Sequence, residues 1–200
     1  MCLFWLLFWA KTKPMKKIVL VYGLIAGAIV GALLLITMPL YESGTLKFEN
    51  GMLLGYATMV VALSLVFFGI KSFRDNYSDG TITFWGGLKI GLLITLVASI
   101  MYAFSWEISY NTMKGDFLEL MNEKSIEKMK KRGASEASLI EAQKQMDDFA
   151  VNYKNPLFRF TITMLEIAPV GIAISLLSAG LLRRKEFLPS TQASDTSKVS

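Results

Sequence analysis

Hydrophobic positions along this chain gather into blocks instead of recurring at a helical or strand period. Four blocks, 18–40, 52–70, 88–104 and 158–182, are almost unbroken apolar runs. About 20 such residues cross the hydrocarbon core of a bilayer as a helix. Continuous runs of that length also mark lipid-facing segments rather than the striped helices of a soluble core. The pattern predicts an all-α, polytopic membrane protein with four transmembrane helices, the third being the shortest.

The polar segment 105–157 between spans three and four is too long for a turn. Met113–Arg132 and Ser135–Val151 read as two helices separated by Gly133, a helical hairpin over about 113–151. Ser138 followed by Glu141 fits a capping box, set slightly late for the second helix. Phe117, Leu120, Met121 and Met129 share one face of the first helix. Glu127 and Lys131 are spaced to pair on its solvated side. Asn155-Pro156 suits the start of span four, because proline is tolerated at the first helical position.

Three regions follow. Residues 1–14 form an N-terminal extension or interfacial segment, 15–186 the four-helix membrane domain, and 187–200 a disordered cytoplasmic tail rich in Ser and Thr. The apolar start of the chain is too short to span. It reads as an aromatic anchor or as an extension upstream of Met15-Lys16-Lys17, with the extension favoured.

Charge orients these spans. Lys11, Lys13, Lys16 and Lys17 precede span one, and Arg183-Arg184-Lys185 follow span four. Lys71, Arg74 and Lys89 surround the second connection, whereas the first carries Glu42, Glu49 and a single Lys47. Cytoplasmic retention of Lys and Arg then places both termini in the cytoplasm and the hairpin outside, in a bacterial inner membrane. The net charge of +5 is absorbed by that placement and by contact with lipid headgroups, so nucleic acid is not implied.

Composition narrows the chemistry. The chain is 53% hydrophobic and 18% charged, with one cysteine, Cys2, and no histidine. Zinc fingers, histidine-ligated haem and Cys–His nucleophilic pairs are thereby excluded. The sequence shows no phosphate-cradling loop, metal cluster or nucleophile elbow, so no catalytic, cofactor or metal residues are assigned.

Three groups of residues remain as candidates. Gly23, Gly27 and Gly31 in span one, and Gly171, Ser175 and Ala179 in span four, form small-residue stripes suited to close helix packing. That packing is expected within the bundle rather than across a homodimer. Glu166, with Pro169 after it, is a carboxyl inside an apolar span, with Arg159 and Glu107 nearer the outer border. These three form a candidate intramembrane polar site, read either as a tie between helices or as a proton- or cation-responsive group. Lys71, Arg74, Asp75 and Gly80 form a candidate cytoplasmic loop motif. Its blander reading is a charged helix end and a turn beside the interfacial aromatics Phe73, Phe84 and Trp85.

The stretch from Gly69-Ile70-Lys71 through Arg74-Asp75 to Gly80-x-Ile82-x-Phe84, with Glu166-x-x-Pro169-x-Gly171, resembles a family signature. The family is an uncharacterised bacterial, Bacteroidetes-type group of four-helix membrane proteins, a domain of unknown function (DUF4199-like). The resemblance covers about Met15 to Lys185. It implies a four-span inner-membrane protein and supplies no reaction.

The leading functional expectation is a structural or accessory subunit of an envelope assembly. Its partners would be the lipid bilayer and a membrane protein or further copies of itself. The alternative is a small proton- or cation-coupled transporter or channel-like subunit using Glu166. A lipid-modifying enzyme ranks last for want of a catalytic cluster.

Overall fold

The computed structural model describes residues 2–43, 45, 48–113 and 117–189, without the side chains of 2–13, 42, 48–52, 117 and 120. Its described elements are α1 (Cys2–Glu42), α2 (Phe48–Leu63), α3 (Leu65–Tyr77), α4 (Phe84–Thr112), α5 (Phe117–Lys131), α6 (Glu136–Tyr153) and α7 (Pro156–Leu182). Among the described residues, four stretches are long and apolar enough to cross a membrane: Pro14–Tyr41, Leu53–Tyr77, Phe84–Thr112 and Pro156–Leu182. The fold is all-α, with α5 and α6 as a helical hairpin between the third and fourth spans. The charge balance expected of the first connection falls partly on residues 44, 46 and 47, outside the described residues, as does 190–200 of the expected tail.

Spans two and three are longer than their apolar runs. Span two continues as α3 to Tyr77, and α4 runs on to Thr112. Polar residues end a hydropathy block without ending a helix, whose bonds are made by the backbone. Lys71, Arg74 and Asp75 therefore lie on a helix and not in a loop; of that motif only Gly80 sits in the turn. Its φ of 71° is in the left-handed region that glycine enters at little cost. Between α2 and α3 the helix is interrupted at Ser64, whose hydroxyl donates to the Val61 carbonyl at 2.6 Å. The Phe67 amide bonds to the Ser64 carbonyl at 3.0 Å, a tighter local turn.

The small residues are used inside the bundle. A Cβ on Gly23 would meet Val97 Cβ at 2.6 Å and one on Gly27 would meet Met101 Cβ at 2.7 Å, while one on Gly31 would overlap Ser105. Positions rise together on both helices, so α1 and α4 run parallel. On the next face of α4, Gly87 meets Ala179, Gly91 meets Ser175, and Thr95 occupies the space above Gly171. Here one series rises as the other falls, and α4 and α7 are antiparallel. Close backbone approach yields packing energy where lipid supplies no hydrophobic drive between helices. Gly69 of α3 closes the group against Ile94 and Tyr22. Helix α4 is thus the central rod, its interior face lined by Ile90, Ile94, Ala98 and Tyr102.

The hairpin turns at Gly133, φ 75°. Its second helix is capped by Ser135, whose side chain accepts from the Ser138 amide at 3.3 Å. The cap lies three residues before the expected Ser138. Ser138 instead donates its hydroxyl back to the Ser135 carbonyl at 2.7 Å. The extended backbone needed at an N-cap occurs at Ser135.

Candidate functional site

Helix α7 begins at Pro156, capped by the Asn155 side chain, which accepts from the Leu157 amide at 3.0 Å. That start directs Arg159 inward, where its side chain is 4% exposed. The extension of α4 carries Glu107 to the same level. Arg159 Nε donates to Glu107 Oε1 at 2.8 Å and Nη2 to Oε2 at 2.6 Å, a bidentate pair. Nη1 donates to the Tyr153 carbonyl at 3.1 Å, and the guanidinium lies 3.9 Å from the Tyr110 ring centroid. A single cation thereby ties α4, the end of α6 and the start of α7 together.

Aromatic rings surround this tie. Tyr153 packs edge-on to Tyr110 and beside Phe149, which meets Phe158. Burial pushes the Tyr153 phenol up to about 12, opposed by hydrogen bonding to Trp106 and Thr163 and by the Arg159 charge. Out on the solvated hairpin, the hydrogen bond from Lys131 holds Glu127 below the usual carboxylate range, with the Lys131 and Lys124 charges adding to it.

Glu166 is separate. It lies on an exposed flank of α7 and accepts from the Tyr102 hydroxyl at 3.3 Å. Arg159, seven positions earlier, turns to Glu107. The structure therefore unites two of the three expected members of the polar site and sets Glu166 apart. Among the described residues, no three His, Cys, Asp or Glu side chains converge in a metal-holding group.

At the opposite end of the bundle, Arg74 is fully buried. Its Nε donates to Asp75 Oδ1 at 2.7 Å, and Asp75 also pairs with Lys71. Nη1 reaches the Phe187 carbonyl at 2.9 Å and, more distantly, that of Leu182 at 3.4 Å; Nη2 donates to the Leu188 carbonyl. A cation at a helix C-terminus meets unsatisfied carbonyls and the negative end of the helix dipole. Phe187 also packs edge-on against Phe67. Phe187 and Leu188, assigned by composition to the disordered tail, are held to α3 by these contacts.

Tyr102, Trp106, Tyr110 and Tyr153 were missing from the expected site. The first three recur every four residues along α4, a helical signal present in the sequence. It was obscured by ending span three at Phe104. The carbonyl partners of Arg74 had no such signal, since every residue carries one.

The model of a family described as protein of unknown function (DUF4199) matches residues 21–184. The chain belongs to that family. No curated protein and no solved structure matches the chain. The family match takes in both arginines, Glu166 and the small-residue seams, but not the Phe187 and Leu188 carbonyls that Arg74 reaches, and leaves the chemistry to be argued from geometry.

Proposed function

We propose that this integral membrane protein is an accessory subunit of an envelope assembly, with the α5–α6 hairpin as its presenting platform. One observation carries the reading: Arg159 binds α4, α6 and α7 at once, so the hairpin is anchored to the spans rather than hung from them. Groups that elsewhere serve catalysis are here engaged in holding helices together. The basic residues Lys16, Lys17, Lys71, Lys89 and Arg183–Lys185 all belong to the bundle end opposite the hairpin. By the preference for cytoplasmic Lys and Arg, this supports cytoplasmic termini, an inner-membrane location and an extracytoplasmic hairpin.

The test is a photo-crosslinker placed at Ile140, 65% exposed on the hairpin, and at Leu177, 67% exposed on a span, in native membranes. A discrete protein adduct from Ile140 alone, lost in Arg159→Ala, is expected. Recovery of only the bare chain from both positions would end the accessory reading.

A second reading is favoured by Glu166, which neither arginine takes as a partner. A carboxyl in a span, bonded to a tyrosine hydroxyl, suits a proton- or cation-coupled transporter or channel-like subunit. Proteoliposome flux that is abolished by Glu166→Gln is the expected result. Absence of flux over a broad solute panel would remove this reading.

A further inference from the structure

Glu166 lies about ten residues into the 27-residue α7, roughly 15 Å along it at 1.5 Å per residue. That is short of the middle of the span, in the half nearer the hairpin. Its flank is exposed, so with lipid around the bundle the residue borders hydrocarbon while its carboxyl turns to the Tyr102 hydroxyl. A charge there costs a few kcal/mol even on the mildest scales.

The titratable groups near it belong to the helices packed on its inner side. Tyr102 of α4 supplies the hydroxyl at 3.3 Å. Tyr153 of α6 lies within electrostatic reach of both Glu166 and Tyr102, and Tyr56 of α2 within reach of Tyr102. On α7 itself, the Arg159 charge is committed to Glu107 and to the Tyr153 carbonyl. The surroundings are therefore phenols. A phenol can donate to a carboxylate or accept from a carboxylic acid, so one geometry serves both protonation states.

We propose that Glu166 and Tyr102 form an intramembrane proton-binding site on the lipid-facing flank of span four, in the half nearer the hairpin. It supplies the coupling group required by the transport reading and rests on that reading only for what the proton accomplishes. The ligand is the proton, and the carboxyl on that flank is the uncharged acid.

A lipid-soluble carbodiimide tests this on the full-length chain, both in native membranes and in proteoliposomes. The acid passes its proton to a carbodiimide nitrogen while its oxygen adds to the central carbon. The resulting O-acylisourea rearranges to a stable N-acylurea, with no leaving group. Mass spectrometry near neutral pH should find the adduct on Glu166, about tenfold more than with a water-soluble carbodiimide, as expected of a group bordering hydrocarbon. Glu127 on the solvated hairpin should show the opposite preference. Labelling should fall as pH rises, and in Tyr102→Phe it should persist to higher pH, because the donor that stabilises the carboxylate is gone.

Lack of a Glu166 adduct in the folded protein, when the detergent-unfolded chain reacts, overturns the proposal. So does equal reaction with both reagents, or an adduct found only after removal from native membranes. Labelling without solute flux instead leaves the site standing and removes only the transport reading.

Discussion

The two buried arginines lie near opposite ends of α7 and are stabilised by different chemistry. Arg159 takes its countercharge from Glu107, 52 positions away on another helix, through two parallel hydrogen bonds. Arg74 takes one carboxylate from its neighbour Asp75 and otherwise relies on backbone carbonyls at and beyond the end of α7. A side-chain partner can be deleted by one substitution, whereas a carbonyl cannot. The hairpin end should therefore be sensitive to loss of the partner, and the basic end to the shape of the cation.

The sharpest way to break that contrast is Glu107→Ala. It leaves the Arg159 guanidinium enclosed without its carboxylate, and truncating one member of a buried pair costs about 3 kcal/mol or more. Thermal unfolding in detergent should report a loss of that order, with the hairpin becoming protease-sensitive first. A loss indistinguishable from zero would mean that Tyr110 and the Tyr153 carbonyl suffice.

Arg74→Lys probes the other end. An ammonium keeps the charge but lacks the planar fork that reaches Asp75 and the carbonyls together. With at least one charged hydrogen bond lost, destabilisation of about 2 kcal/mol is expected, along with easier proteolysis after Leu182. Equal stability of Lys and Arg at this position would show that charge alone matters there.

Asp75→Ala should be milder, about 1 kcal/mol, because the carbonyls retain Arg74. The ratio between Glu107→Ala and Asp75→Ala is the direct measure of the contrast, and equal losses would erase it.

The smallest expected effect is at high pH. The Tyr153 phenol is raised from an ordinary value of 10.0 to about 12 in the folded chain. Its contribution is complete below about pH 10, the ordinary phenol range, and is lost as pH rises through 12, since the unfolded chain releases the proton first. Near-ultraviolet circular dichroism should follow the loss of the aromatic cluster over that window. Tyr153→Phe should flatten it, and an unchanged profile in that variant would assign the transition elsewhere.

The same contrast explains what was legible in the chain. Glu107 and Arg159 could be suspected from sequence because polar residues are conspicuous near apolar blocks. Their pairing could not, because it requires α4 to continue past Phe104 to Thr112. Glu166 stood out equally, yet nothing in the spacing told which helix would supply its partner, Tyr102 of α4. At the basic end, Arg74 was visible and its acceptors were not.

Sequence alone dictated the number of spans, their all-helical character and the small-residue stripes. Hydrocarbon leaves the backbone no partner but itself, and apolar length is countable residue by residue. Tertiary structure decided which stripe met which helix, how far the helices outran their apolar runs, and which charge found which acceptor. Those outcomes depend on the directions of side chains brought together from distant positions, which one-dimensional spacing does not contain.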